Sequence, residues 1–435
     1  MTTHPAGPTT VRWRVLALIV AASFAAYFLR SNMSVAGEAM MRDLSLTKTQ
    51  FGVVLAAFAW GYAAFQFPGG VLGDRFGGRR LMAWCALAWG ALNLLVGFMP
   101  ASGLLSVTAT LAALVVLRAL MGVVQAPLYP VTTGTMLCAW FPPAGWAFPT
   151  GLANVGLTFG AAATPPLIAW LTQQYGWRAS FVITAPLGIV LAMVWWWYVR
   201  DTPHEHPGIS GEEIALIDEG RPSFATGRSP AGAWKRVLAD RDVMLVTLSY
   251  LCSNFLYYFF FNWLYIYLVE NRGMKLIESG FYAAAPWVVG AGGALAGGIL
   301  CDRLAARFGV RWGYRGPGLV GLVLAAAFIL AASMVSSPII AVVLLSLCLA
   351  SQQVTEAAFW TATIALSGRD AGTATGIMNT GGNIAGGMGA LLVPLLVERF
   401  GWSAALGSAA FFSLVGAVLW LFIDPAREMA RATPR

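Results

Sequence analysis

Charge is scarce in this chain. Of its 435 residues only 11% are Asp, Glu, Lys or Arg, while 58% are hydrophobic; an average soluble domain is about a quarter charged. A soluble fold cannot hide that much apolar surface and keep its exterior wet with so few charges, so that class is excluded. Cysteine is also sparse. Cys85, Cys138, Cys252, Cys301 and Cys348 lie in or beside apolar runs without paired spacing, which indicates neither a disulfide framework nor a metal knot. The three histidines, His4, His204 and His206, fall in the N-terminal tail and a central loop. Long polar stretches are limited to residues 200–241. No nucleotide-binding glycine loop, metal cluster or catalytic triad can be found, so neither an enzyme nor a cofactor is expected.

What the chain does have is a series of apolar runs, each about the 20 residues that a helix needs to span a bilayer. Twelve can be marked: 13–36, 51–72, 81–99, 105–138, 147–173, 179–199, 242–269, 279–301, 317–335, 338–366, 373–397 and 403–423. The expected fold is therefore an all-α integral membrane protein with twelve transmembrane helices. Arg12 and Arg14 precede the first run and AASFAA offers small residues, as in a signal peptide. The run continues through Arg30 to Val35, however, and eleven more follow, so an uncleaved first helix is expected.

The net charge of +8 reflects topology rather than a nucleic-acid surface. With the N-terminus in the cytoplasm, the cytoplasmic loops and tails collect nineteen of the Lys and Arg residues, the opposite side six, and the spans two. This is the positive-inside bias. Both termini and residues 200–241 are expected in the cytoplasm, with the protein in a bacterial inner membrane as a monomer.

Two stretches repeat. GGVLGDRFGGRR (69–80) is echoed by GGILCDRLAARFG (297–309). Further on, GLANVGLTFGAAATPPLIAWLTQQYGW (151–177) is echoed by GIMNTGGNIAGGMGALLVPLLVERFGW (376–402). At a constant offset Gly151 matches Gly376, Asn154 matches Asn379, Gly156 matches Gly381, and Gly176–Trp177 matches Gly401–Trp402. Identities in register across the fifth and eleventh runs indicate a duplicated six-helix unit. The expected organisation is an N-terminal bundle at 1–199, a cytoplasmic linker at 200–241 and a C-terminal bundle at 242–435. In the linker, SGEEIALIDEG reads as a short amphipathic helix with Ser210 as N-cap and Glu212 and Glu213 in its first turn.

The loop motif Gly70, Leu72, Asp74, Arg75, Gly77, Arg79 and Arg80 resembles that of the major facilitator superfamily, and the resemblance extends along the whole chain. It implies two pseudosymmetric six-helix bundles and a gating role for Asp74, Arg75 and Arg79, with Asp302 and Arg303 as their counterparts. Within that superfamily, YFLRSNMSVA (27–36), GYAAFQFPGG (61–70), LRALMGVVQAPLYP (117–130), NWLYIYLVENRG (262–273), FWTATIALSG (359–368) and GIMNTGGNIAGG (376–387) resemble the anion:cation symporter family. That family includes bacterial sugar-acid transporters and vesicular organic-anion carriers.

Ionisable residues in mid-span are expensive and so functional by default. Arg30 in the first run, Arg118 in the fourth and Glu356 in the tenth are the main cases. Polar neighbours share helical faces with them. Tyr27, Arg30 and Ser34 lie on one face of the first helix, Tyr62 and Gln66 on one face of the second, and Arg118 and Gln125 on one face of the fourth. Asn254, Tyr258 and Asn262 do so on the seventh, and Asn379 and Asn383 on the eleventh. Such faces would be unsatisfied against lipid and should line a shared watery cavity. A guanidinium is always charged and binds a carboxylate or phosphate two-pronged, so Arg30 points to an anionic substrate. The resemblance implies the same role for Arg30, pairing for Arg118, and ligand contact for Tyr27, Tyr62, Asn154, Trp360 and Asn379.

The departures from that family concern protons. Its proton-coupled members carry an Asp just before the first-helix arginine and a Glu seven residues after the fourth-helix one; here these are Leu29 and Gln125. QAPLY (125–129) resembles EAAFW (356–360), so Glu356 stands roughly where Gln125 is neutral. Glu356 is then a relocated proton site, a counter-charge to Arg30 or Arg118, or a structural acid. The expected function is secondary transport of a small organic anion by alternating access, with proton symport through Glu356. Alternatives are a facilitative carrier, an organophosphate exchanger, disfavoured because 242–269 holds no Lys or Arg, and a ligand-binding membrane sensor signalling through 200–241.

Overall fold

A computed structural model of the chain describes residues 8–100, 104, 106–142, 147–218, 233–367 and 371–427, which contain helices and no strand. Nine stretches are long and apolar enough to cross a membrane. Two of them, Leu152–Tyr198 and Leu276–Met334, each contain a pair of helices meeting at a glycine, Gly176 and Gly309. With Lys48–Phe76 they make twelve spans among the described residues. The first six are α1 Val11–Leu44, α2 Lys48–Phe76, α3 Gly78–Gly97, α4 Val107–Gln125, α5 (147–175) and α6 (177–198). The second six are α7 Arg241–Asn262, α8 (276–308), α9 (310–334), α10 Pro338–Ser367, α11 Ala371–Phe400 and α12 Trp402–Trp420. The runs marked in the sequence sit inside these helices or overrun their ends by at most three residues, with two exceptions: the seventh continues past Asn262 into a short separate helix, Leu264–Glu270, and the fourth is interrupted. The fourth run is α-helical only to Gln125, and Pro130–Leu137 is π-helical. Pro127 and Pro130 have no N–H to donate, so the α ladder cannot pass through them unchanged.

The duplication is visible in the backbone. Gly77, Gly176, Gly309 and Gly401 have φ of 82°, 81°, 79° and 81°, where a Cβ would be strained. They turn α2 into α3, α5 into α6, α8 into α9 and α11 into α12. Gly176 and Gly401 are the pair matched in the sequence. The other pair shifts a register: the motifs align Asp74–Arg75 with Asp302–Arg303, whereas the turns align Gly77 with Gly309. Asp302 therefore stands one helical turn further from its junction than Asp74 does.

Small residues bring helices close within each half. The backbone of α8 at Gly293 and Gly297 lies against Ala350 and Val354 of α10, and Gly61 and Gly122 join α2 to α4 in the same way. Between halves, α2 packs on α11 with Gly52 against the Ala390 carbonyl, and α8 packs on α5 with Gly280 against Pro165 and Pro166. These contacts lie toward the end opposite the chain termini. There Lys48 Nζ is 2.9 Å from Glu270 Oε2, and Glu398 accepts from the Thr49 N–H at 2.8 Å and the Thr49 hydroxyl at 2.6 Å. This end is closed, and the other bonds crossing between halves among the described residues lie at mid-depth.

The linker is docked rather than loose. Its helix Gly211–Asp218 buries Glu213 completely. The Glu213 carboxylate accepts from the Thr9 hydroxyl (2.6 Å), the Val11 N–H (3.0 Å) and the Arg12 N–H (3.1 Å). It thereby caps the N-terminus of α1, whose first N–H groups have no partner inside the helix. Nearby, His206 packs against Trp140 and Tyr198, and its Nδ1 accepts from the Gly208 N–H at 3.1 Å. Burial, with Arg200 close by, pushes the His206 imidazole down, which suits that acceptor role. Glu213→Ala is expected to destabilise the protein by about 1–3 kcal/mol and to expose the docked helix. Thermal unfolding and limited proteolysis of residues 200–218 measure this; an unchanged midpoint and a protected helix would show the dock to be idle.

Candidate functional site

A cavity of about 320 Å³ lies between the two halves at mid-depth. Its N-terminal wall carries Tyr27 and Arg30 of α1, Tyr62 and Gln66 of α2, Tyr129 and Asn154. Its C-terminal wall carries Asn254 and Tyr258 of α7, Glu356 and Trp360 of α10, and Asn379 and Asn383 of α11. The pairs Tyr62–Gln66, Asn254–Tyr258 and Asn379–Asn383 all line the cavity, whereas Ser34 and Asn262, read as members of the same faces, are not among its described lining residues.

Arg30 is 4% exposed. Its guanidinium carbon lies 4.4 Å from the Phe58 ring centre, 4.5 Å from Phe261, 5.4 Å from Tyr27, and 5.5 Å from both Tyr62 and Tyr258. Aromatic faces attract a desolvated cation, but they do not cancel its charge. No carboxylate lies within ion-pairing distance of Arg30 among the described residues, and its Nε has no hydrogen-bond partner there. One bond reaches across the halves: Nη2 donates to the Tyr258 hydroxyl at 3.1 Å. Tyr258 in turn donates to Asn383 Oδ1 at 2.9 Å, and Asn383 Nδ2 donates to Gln66 Oε1 at 3.3 Å. This chain runs α1 to α7 to α11 to α2, crossing the interface twice.

Glu356 sits on the other half. Tyr250 donates its hydroxyl to Oε2 at 3.4 Å and Trp360 donates its indole N–H to the same oxygen at 3.2 Å. Both donors are neutral. No Lys or Arg pairs with Glu356 among the described residues, so the alternative of a counter-charge to Arg30 or Arg118 has no ion pair behind it in this conformation.

Two predicted substrate contacts fall elsewhere. Arg118 is buried inside the first bundle, donating to the Arg30 carbonyl at 3.3 Å with its guanidinium 4.9 Å from the Phe58 ring centre. It lines a small side pocket with Leu29, Met33 and Phe181, not the central cavity. Gln125 is likewise buried and donates to the Ala26 carbonyl at 3.0 Å. The face of α4 that carries both packs on α1, so neither reaches the cavity. The proposed gate is also divided. The Asp74 side chain lies outside the described residues. Arg79 stays within its own bundle, donating through Nε (3.0 Å) and Nη2 (2.7 Å) to the Trp196 carbonyl, while its N–H bonds Asp201 at 2.7 Å. Arg75 stands over the Phe76 ring, and Asp302 and Arg303 are exposed.

Tyr129, Tyr250, Tyr257 and Trp287 also line the cavity and were not read from the sequence. Signals existed for two of them. Tyr129 is the partner of Trp360 in the QAPLY–EAAFW match, and Tyr250 extends the Asn254–Tyr258 ladder by one step.

Residues 19–349 and 303–435 match the family profile described as Major Facilitator Superfamily. The chain is 30% identical over 416 residues to a probable sulfoacetate transporter, SauU, of Cupriavidus necator, covering 95% of this chain and 94% of that protein. It is 31% identical over 408 residues to a probable galactarate/D-glucarate transporter, GudP, of Bacillus subtilis, covering 91% and 88%. A D-galactonate transporter of Escherichia coli is 28% identical over 434 residues, covering 97% of each. Among solved structures, a bacterial homologue of the human lysosomal transporter Spinster, in an inward-facing and unoccupied conformation, superposes with a TM-score of 0.79. It is 18% identical and the match covers 99% of this chain and all of that one.

Proposed function

The chain belongs to the Major Facilitator Superfamily, and from there we propose that it is a secondary transporter of a small organic anion, a carboxylate such as a sugar acid. Two six-helix bundles, 1–199 and 242–435, would alternate access to the cavity, tethered by 200–241. The observation that carries the reading is Arg30: a permanent cation, buried at mid-depth in a cavity between bundles, ringed by aromatic faces and lacking an anionic partner among the described residues. A buried charge of this kind is costly until something neutralises it, and a carboxylate ligand does so with two parallel hydrogen bonds. The Arg30–Tyr258–Asn383–Gln66 chain supports coupling of that event to bundle movement, because a ligand on Arg30 competes for a bond that ties the halves together. The names of the relatives, transporters of sugar acids and sulfoacetate, support the substrate class.

The positive-inside count supports an orientation with both termini and residues 200–241 in the cytoplasm of a bacterial inner membrane. The closed end with Lys48–Glu270 and Thr49–Glu398 then faces outward, and the cavity is reached from the cytoplasm. The gating group Asp74, Arg75, Arg79, Asp302 and Arg303 would engage only when that side closes. Glu356 is the proposed proton site, since its observed partners are neutral donors. The neutral residues Leu29 and Gln125 favour a second reading, exchange without net proton movement.

A thermal-shift screen of sugar acids, dicarboxylates, amino-acid derivatives and phosphate esters finds the ligand, because one present far above its Kd raises the melting temperature. That ligand should then be taken up by vesicles containing the protein. A ligand that stabilises but is neither accumulated nor exchanged would mark a sensor instead. Single cysteines placed in 200–241 and at both termini should label from the same side; a linker labelled from the side opposite the termini would overturn the orientation.

A further inference from the structure

The two charges of the cavity are set apart along one helix. Arg30 touches α7 at Tyr258, and Glu356 touches it at Tyr250. Eight residues separate those contacts, about 12 Å along the helix axis. Among the described residues the two charges share no hydrogen-bonding partner, and the amides of Gln66, Asn254, Asn379 and Asn383 line the same cavity. The cavity is therefore bipolar: a fixed cation on the N-terminal wall, an acid on the C-terminal wall, and neutral hydrogen-bonding groups around them.

We propose that Glu356 selects the far end of the substrate, accepting molecules with a single acid group whose other end carries a hydroxyl or an ammonium group, and rejecting those with an acid group at both ends. This rests on the organic-anion reading, which supplies the acid group at Arg30. A monoanion bound there pairs with Arg30 and leaves Glu356 as the one unpaired charge among the described lining residues. A second acid group, carried two helical turns onward, meets Glu356 with no cation among the described lining residues to offset either carboxylate, and like charges repel strongly in a desolvated site. A hydroxyl instead donates to Glu356, whose ionised carboxylate has about four acceptor positions, more than Tyr250, Trp360 and Gln352 occupy. An ammonium group gains further. It makes a charge-assisted hydrogen bond to the carboxylate, beside the Tyr250 and Trp360 rings, whose centres are 6.4 Å apart.

Three probes share one skeleton and differ only at the sixth carbon: gluconate with a hydroxyl, glucarate with a carboxylate, and 6-amino-6-deoxygluconate with an ammonium group. Binding of each to the purified full-length protein at about pH 8 is measured by calorimetry. Glucarate is expected to bind at least roughly tenfold more weakly than gluconate, and the amine at least as tightly as gluconate. In Glu356→Gln the three affinities should converge to within about threefold, while Glu356→Asp, which keeps the charge, should retain the order. Glucarate binding as well as gluconate in the wild type would overturn the proposal, as would discrimination surviving in Glu356→Gln. If none of the three binds although another anion does, this selection is overturned and anion transport stands. Undiminished binding of all three by Arg30→Gln would instead overturn the organic-anion reading beneath it.

Discussion

Arg30→Gln is expected to abolish binding and uptake, with affinity falling at least about 100-fold, while the empty protein becomes no less stable. The two halves of this result come from one feature. Bound ligand loses a charge-assisted, two-pronged contact, worth roughly 3 kcal/mol or more when desolvated. Empty protein loses a buried cation whose contacts are aromatic faces and one hydroxyl, and removing an uncompensated buried charge commonly stabilises a core. The thermal midpoint of the empty variant should therefore match or exceed wild type, and the ligand-induced rise should vanish. Arg30→Lys restores charge but not the planar fork, so its rescue should be weak. Uptake that persists in Arg30→Gln would remove the anion argument at its base; a midpoint that drops sharply would show that the arginine holds the bundles together rather than serving a ligand.

Glu356→Gln should separate two activities. If Glu356 carries the coupling proton, the variant loses accumulation against a gradient and keeps counterflow exchange, because exchange needs no net proton movement. The geometry favours this outcome. Tyr250 and Trp360 donate to the carboxylate without neutralising it, so the Gln variant leaves no partner cation stranded. Had Glu356 been paired with Arg118 or Arg30, both activities would fall together. The reciprocal experiment restores the acids of the related family. Leu29 lines the same small pocket as Arg118, so Leu29→Asp places a carboxylate beside a buried guanidinium that now donates to a backbone carbonyl. Leu29→Asp with Gln125→Glu should return proton-driven accumulation to the Glu356→Gln background. Accumulation in wild type that is proton-driven and indifferent to Glu356→Gln rules out the relocated site.

The bundle was legible because hydrocarbon imposes its pattern residue by residue: length, low charge and the Lys/Arg asymmetry fix spans and their order. The duplication was legible for the same reason at Gly176 and Gly401, where only glycine suits the turn. The cavity was partly legible, since a polar side chain in a span has few places to go, and this located Arg30, Glu356, Tyr258 and the paired asparagines. The rule fails where a polar group can be satisfied inside one bundle. Arg118 finds the Arg30 carbonyl and a ring, and Gln125 finds the Ala26 carbonyl, so both turn inward although their spacing looks the same as that of a cavity face. Aromatic lining was the other blind spot. Phe58 and Phe261 cage Arg30, yet phenylalanine in a membrane helix carries no signal that separates a cage from lipid or core. The distance of Asp302 from its helix junction was not legible, because a motif match tolerates one extra helical turn that only the backbone reveals.

The Glu213 cap has a consequence for where this chain can be divided. Fragments cut at the end of α6 would leave the first helix with bare N–H groups and discard the carboxylate that satisfies them. A cut after Asp218 keeps Ser210, Glu213 and their bonds to Thr9, Val11 and Arg12 in one piece. In covalent order the docked helix follows the sixth span; in its hydrogen bonding it completes the first. Split versions, reporter fusions and domain exchanges between relatives should treat the N-terminal unit as ending there, some twenty residues beyond the last apolar residue of its sixth span.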